Sequence, residues 1–151
     1  MGHDRDVAEF VARHAPIERP AFDMIGDGFR AFGVLREDGA LVAGVVFSDW
    51  KPAFGTVELS GAAVDPRALA STRNLRVFGS YAFGQLDCFR VWARTATANV
   101  RARKWLRGIG FTEEGVSAHH FGKGKHAAIL RVIRPEWERK WGAIESARKA
   151  A

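Results

Sequence analysis

Three histidines, His119, His120 and His126, lie close behind a run that opens at Asn99 and carries Arg101, Arg103, Lys104 and Arg107. A neutral imidazole accepts a proton near neutral pH, and imidazoles at ligand spacing bind zinc. These three lack such spacing and no Asp/Glu cluster adjoins them, which excludes a metal site. On a strand, His119 and His120 would face opposite sides, so one would point into any site the strand borders. For each histidine alone, a packed or solvent-facing ring is the plainer reading. Cys88 has no adjacent His motif and reads as a buried strand residue rather than a nucleophile. The arginines ask for an anion, which could be nucleic acid, phosphate or an acidic surface. They belong to a basic C-terminal third: residues 99–151 hold 12 Lys/Arg against 5 Asp/Glu, whereas residues 1–98 hold 11 against 12.

These residues must be positioned by a chain of 151 residues, 47% of them apolar, which is enough for one domain with a real core and too little for two. One domain over residues 1–151 is therefore expected, with no internal repeat or low-complexity linker. The longest apolar run, Ala40 to Phe47, is far too short to span a bilayer. The first residues (Asp4, Asp6, Glu9) are too acidic for a signal peptide. A single cysteine fits a reducing cytoplasm.

The periodicities read as follows. "DRDVAEFVARHA" carries Val7, Phe10, Val11 and His14 at helical spacing, with Asp4 or Asp6 as N-cap, and Pro16 and Pro20 end that helix. "FRAFGVLREDGALVAGVVFSDW" reads as two strands joined at Asp38-Gly39, and "GTVELSGAAVDP" as a third. From Arg73 the period becomes helical, with Leu75, Phe78, Ala82 and Leu86 on one stripe. "CFRVWARTATA" follows as a strand. In the next helix Ala102, Trp105, Leu106 and Ile109 form an apolar face, and Gly110 ends it. Two strands are expected at 115–121 and 127–133 with "GKGK" as their turn. Pro135 then opens a last helix of about 135–149, striped by Trp137, Trp141 and Ile144. A packed terminal helix or a homodimer interface would each explain that stripe. The order is that of a mixed α/β (α+β) domain.

A strand ending in "VDP", a loop, a helix, a strand and then "N-x-R-A-R-K-x-L-x-x-x-G-F-x-x-E-G" resembles the GNAT superfamily of acyl-CoA N-acyltransferases. Asn99, Arg101, Ala102, Gly110, Phe111, Glu114 and Gly115 fit its pattern in one register, and the element order fits from Phe29 to Ile133. The flavour is that of ribosomal-protein and phage-type members, which often end in a Glu-Trp such as Glu136-Trp137. The resemblance implies a mostly antiparallel sheet whose central strands, ending near Ala63 and Thr95, splay to admit the pantetheine arm of acetyl-CoA. It places the pyrophosphate on backbone N–H groups at the start of the next helix, where orphan donors and the helix dipole favour anions. The loop there, Arg67 to Asn74, lacks the usual glycines: Leu69, Thr72 and Asn74 occupy the signature positions. Ser71, Thr72 and Asn74 could add side-chain donors, and Arg67, Arg73 or Arg76 charge. Arg101 and Arg103 would face the nucleotide phosphates or water. Asn99 would contact the pantetheine arm or the acceptor, besides capping its helix.

The implied reaction is direct transfer of an acetyl group to a primary amine, which requires a neutral amine and a polarised thioester carbonyl. An ammonium must lose a proton first. Glu58 on the third strand is the first candidate base, with an outward-facing, merely solubilising carboxylate as the alternative. His120 and His119 are the next candidates. A backbone N–H near Ala63 or Val64 would polarise the carbonyl. Two proton donors familiar in the family are replaced: Leu106 stands where many members carry Tyr, and Ala102 where a related branch carries Ser. A thiol with a pKa near ~8.5 is a fair leaving group without protonation. Two other readings stand beside the enzyme: a GNAT-fold protein that binds acyl-CoA without turnover, and a basic nucleic-acid-binding module. The second lacks any helix-turn-helix, zinc-finger or RNP signature. The acceptor could be a protein N-terminus, a lysine or a small amine.

Overall fold

The computed structural model describes residues 4–14 and 30–145. The break expected at Pro16 and Pro20 lies outside them. Helix α1 (Asp4–His14) buries Val7, Ala8 and Val11, with Asp4 and Asp6 in its first turn and Arg13 and His14 in its last, the charge order its dipole favours. Strands β1 (Arg30–Leu35) and β2 (Leu41–Lys51) pair antiparallel. Their turn closes through Gly39 N–H to the Arg36 carbonyl at 2.9 Å, while Asp38 Oδ1 accepts the Ala40 N–H at 2.9 Å. Strand β3 (Thr56–Ala63) leads through a 3-10 turn, Pro66–Leu69, into helix α2 (Thr72–Gly79). Strand β4 (Arg90–Ala96), helix α3 (Val100–Gly108), strands β5 (Thr112–Ser117) and β6 (Ala127–Ile133) and helix α4 (Arg134–Trp141) follow.

The six strands form one sheet in the order β1-β2-β3-β4-β6-β5, antiparallel except at the β3–β4 seam. One face carries Val45, Phe47, Val57, Leu59, Val91, Ala93, Leu130 and Val132, and packs Leu75 and Phe78 of α2, Leu106 of α3 and Trp137 of α4 against them. Burying each such side chain contributes roughly 1.5–3 kcal/mol, so this layer dominates stability. On the other face, Ala31, Val46 and Ala62 receive Val7, Ala8 and Val11 of α1. The mixed, mostly antiparallel α/β sheet flanked by helices is the architecture expected.

Three boundaries differ from expectation. The stripe from Arg73 to Leu86 is not a uniform α-helix: after Gly79 it widens into a π turn, Ser80–Gln85, in which Leu86 N–H reaches the Tyr81 carbonyl at 2.9 Å. Trp137 of α4 packs against Gly79, and Ile144 and the Glu145 carbonyl pack against Gly84. Strand β5 covers 112–117 rather than 115–121, so His119 and His120 sit in the following turn, His119 with φ +54°. The last helix stops at Trp141 instead of running to about 149. Gly142 takes φ +106° and donates its N–H to the Glu138 carbonyl, closing the final turn. Ile144, expected on the helical stripe, therefore reaches the core from the irregular segment that follows the helix.

Candidate active site

The parallel seam is short. Strands β3 and β4 pair at Thr56–Arg90, Val57–Val91 and Glu58–Trp92, and then separate although β3 continues to Ala63 and β4 to Ala96. The gap is a cleft walled by Leu59, Ser60 and Gly61 of β3 and Ala93 to Ala96 of β4. Asn99, Ala102, Trp105 and Leu106 of α3 and Phe121 of the β5–β6 turn complete it. Unpaired main-chain edges along such a gap can hydrogen-bond an extended ligand that carries amides.

The cleft passes through the sheet. Paired residues on parallel strands share a face, so Glu58 and Trp92 point the same way, and alternation puts Arg94 with them. That face is the one bearing Ala62 and α1, whereas α2 and α3 cover the opposite face with Leu59 and Ala93. A ligand held at the helix N-termini and a second reactant beside Glu58 would therefore meet from opposite sides.

Glu58 is 5% exposed, the one buried charged side chain among the described residues, and its Oε1 lies 2.8 Å from Arg94 Nε. Burial pushes its carboxyl above the usual carboxylate range, and the Arg94 guanidinium only partly opposes this. Arg94 Nη1 in turn meets His120 Nε2 at 2.9 Å, and His120 Nδ1 meets Ser117 Oγ at 3.1 Å. Arginine has no acceptor, so His120 Nε2 must accept and its proton sits on Nδ1, directed at Ser117. Burial first, and Arg94 second, lower the His120 pKa. Glu58 and His120 are thus brought together through one arginine that the sequence reading did not single out. His119 turns away: its Nδ1 accepts the Gly124 N–H at 2.8 Å, and its own N–H goes to His126 Nδ1 at 2.9 Å. It shapes the turn and makes no contact with Glu58 or Arg94 among the described residues.

The residues expected to hold the donor divide. Asp65 caps the 3-10 turn through the Arg67 N–H, Leu69 is buried, and Ser71 caps α2 by accepting the Asn74 N–H at 3.2 Å. Asn74 Nδ2 donates to the Ala68 carbonyl at 2.8 Å. Caps and a buried leucine thus order this loop where glycines are absent, and they occupy the polar groups of Ser71 and Asn74. Thr72 and Arg73, at the first positions of α2, present backbone N–H groups with no partner among the described residues. Arg67 is exposed and leans on Asp65, and Arg101 is exposed. Arg76 donates instead to the Trp141 carbonyl at 3.3 Å. Arg103 is also engaged elsewhere: it forks onto Glu113 at 2.7 and 3.0 Å and reaches the Thr97 carbonyl at 2.8 Å, bracing α3 against β5. Val64 N–H is tied to the Val42 carbonyl at 2.9 Å and is not available to a ligand. Ala63 pairs with Ala43 at the end of β3, so the cleft wall of that strand lies earlier, at residues 59–61.

These features would suit an acyl-CoA arm: a gap between strand edges that no longer pair, N–H groups at the start of α2 with no partner among the described residues, and a buried donor without a partner, Trp105 Nε1, on a cleft-lining residue. Among the described residues no group of three His, Cys, Asp or Glu could hold a metal ion, and no helix is long and apolar enough to cross a membrane.

Asn99 has two separable roles. Its Oδ1 accepts the Ala102 N–H at 3.1 Å, capping α3, and the residue also lines the cleft. Asn99→Ala should cost about 1 kcal/mol of stability through the lost cap. Asn99→Asp keeps the acceptor oxygen and should melt like the native chain, while a CoA molecule held through the amide N–H would bind it more weakly. Equal CoA affinity in Asn99→Asp would restrict Asn99 to capping.

No family model matches the chain, and no curated protein matches it. Solved structures do. A mutant form of the spermidine N-acetyltransferase SpeG from Vibrio cholerae superposes with a TM-score of 0.63 at 17% identity, covering 77% of this chain and 72% of that one. A chimera of SpeG from Vibrio cholerae and hSSAT gives 0.64 at 18% identity, over 78% and 73%. A structure described as a probable acetyltransferase gives 0.64 at 22% identity, over 74% and 65%. With the split seam and the order of its elements, the chain has the GNAT fold, that of the acyl-CoA N-acyltransferases.

Proposed function

We propose that the protein is an N-acetyltransferase that moves an acetyl group from acetyl-CoA to a primary amine by direct attack in a ternary complex. The observation that carries this reading is the split seam with Glu58 at its apex: the gap ends at the residue pair whose carboxylate is buried. Bound acetyl-CoA would supply a thioester whose carbonyl carbon the amine nitrogen attacks, the C–S bond breaking and CoA leaving as its thiolate. Glu58 takes the proton from the amine nitrogen, directly or through a water, and passes it to solvent. Its raised pKa brings it closer to the amine it must deprotonate. Ala102 and Leu106 line the cleft and offer no proton; a thiol with a pKa of ~8.5 is a fair leaving group as its thiolate.

The α2 start, with the Thr72 and Arg73 N–H groups and the side chains of Arg67 and Arg73, is the phosphate end of the donor site; Arg101, exposed on α3, is a further cation for the donor. Acceptor classes are a protein N-terminus, a lysine or a small amine, and the compartment is the cytoplasm. A nucleic-acid role is disfavoured by the charge of α3, where Arg103 and Arg107 are spent on Glu113.

Acetyl-CoA and CoA are each expected to raise the melting temperature. At one hundred times the dissociation constant the gain is about 2.7 kcal/mol, roughly 5–10 °C for a chain of this size. Calorimetry without a shift from either compound at millimolar concentration would remove the donor site. A shift without thiol release from any amine would leave a non-catalytic acyl-CoA-binding protein.

A further inference from the structure

Arg94 stands where the acceptor must arrive. It lies on the face opposite α2 and α3, lines the cleft, and its side chain is 24% exposed while that of Glu58 beside it is 6% exposed. Its guanidinium is held from three directions: Nε by Glu58 at 2.8 Å, Nη1 by His120 Nε2 at 2.9 Å, and Cζ over the Trp92 ring, 5.7 Å from its centroid. A guanidinium offers five N–H groups, and these contacts use two. The others have no partner among the described residues. Arg90 and Arg131, other cations on this side of the sheet, are occupied: Arg90 by Glu114, and Arg131 by Glu136 at 3.1 Å. Arg94 is therefore a pre-oriented anion site placed directly against the carboxylate that would receive the amine.

Such a pair suits a molecule that carries both charges. An ammonium goes to Glu58 and an adjacent carboxylate to the open side of the Arg94 fork, which binds planar carboxylates well. A polyamine meets the opposite situation. Its further ammonium groups need further carboxylates, yet among the described residues Glu58 is the acidic group next to the cleft, and Arg94 already balances it. Asp49, whose charge also reaches Glu58, is itself paired with Lys51 at 2.9 Å. We infer that Arg94 is an acceptor-binding residue and that the acceptor is an amine bearing a carboxylate close to the reacting nitrogen, a free amino acid or an acidic peptide terminus, rather than a polyamine. This rests on the acetyltransferase reading given above and specifies its acceptor.

Matched acceptors test it on the full chain with acetyl-CoA: an amino acid against its own amide, a peptide headed by Asp against one headed by Asn, and spermidine. The native protein should show a KM about 10- to 100-fold lower for the acid than for the amide, the range expected for hydrogen bonds to a charged group. Arg94→Gln should abolish that ratio by raising KM for the acid. Any fall in kcat through Glu58 should be shared by both members of a pair. Arg94→Lys, which keeps the charge without the fork, should retain part of the ratio and guards against a folding defect in Arg94→Gln. The better of the free amino acid and the Asp-headed peptide identifies the source of the carboxylate. A native preference for spermidine or for the amides overturns the inference, as does a KM ratio of acid to amide that Arg94→Gln leaves unchanged. If no amine is turned over but CoA still raises the melting temperature, the reaction fails separately. Calorimetric titration of acid and amide into the CoA-loaded protein then decides, and equal or absent binding of the two overturns it.

Discussion

Glu58→Gln should lower kcat/KM by about 10²–10⁴-fold, the usual worth of a positioned general base, while the protein melts no lower than the native chain at neutral pH. Both halves follow from the burial of Glu58. Its folded pKa is raised above 4.5, mainly by burial, with Arg94 pulling the other way and Asp49 adding to the rise. A raised carboxyl favours its protonated form in the folded state. Its stabilising contribution is present below the unfolded value and is lost as pH climbs through the folded value. At neutral pH the ionised carboxylate is thus a cost that glutamine does not carry. Arg94, part-exposed, can turn to water when its partner is neutral. The difference in melting temperature between variant and native protein should therefore widen from acid towards neutral pH in favour of the variant. The rate deficit should run in the other direction, largest at lower pH where the free amine is scarce and shrinking as the amine deprotonates unaided. A deficit that is flat with pH would take Glu58 out of the proton transfer. A variant that melts well below the native chain at pH 7 would show that the Arg94 pair is structural.

The largest loss of stability is expected at a residue far from the chemistry. A Cβ at Gly79 would fall inside the contact radius of Trp137 Nε1 and within 2.9 Å of Trp137 Cδ1 and Cε2. Trp137 is 4% exposed and packs against Phe83, with ring centroids 6.0 Å apart, so the indole has nowhere to retreat. Gly79→Ala should cost about 3 kcal/mol or somewhat more, the upper range for overpacking a dense core. For a chain of this size that is a melting point lower by on the order of 10 °C. Trp137→Phe removes the offending ring edge at its own cost in buried area. Together the two substitutions should cost clearly less than the sum of their separate effects. A thermal double-mutant cycle that proves additive would mean that α2 and α4 do not meet as described.

Much of this architecture was legible because it rests on local pattern. The helix at Val100–Gly108 follows from Asn99 as a cap and the Trp105/Leu106/Ile109 face, and the β1–β2 hairpin follows from Asp38-Gly39. What escaped has non-local causes. Arg94 meets Glu58 because a parallel pairing sets Glu58 opposite Trp92 across a long crossover, and no local spacing encodes that register. The signal that was present is Arg94 inside "VWARTA", a half-buried stretch of strand where an arginine needs a partner. In sequence, His119 and His120 fall within the strand expected at 115–121. The turn begins before them because Gly122 and Gly124, both at positive φ, let the chain fold back onto His119. The glycine-poor loop could not show that Ser71 and Asn74 would be consumed by caps, since a cap and a ligand contact call for the same residue types. The C-terminal helix was overextended because its stripe continues to Ile144 in spacing, although Gly142 has already turned the chain.

The three rungs joining β3 to β4 also make the molecule mechanically uneven. The antiparallel blocks β1-β2-β3 and β4-β6-β5 each hold together by long ladders and touch through a much shorter one. Bare strand edges ordinarily invite other chains to add on; here they face each other within the sheet, flanked by α3 and the β5–β6 turn. Relative motion of the two blocks should be the softest collective mode of the fold, and whatever fills the gap should act as a splint. If CoA is what fills it, hydrogen exchange would register this as slowing confined to the amides of residues 59–61 and 93–96 when CoA is added, with the outer ladders unchanged.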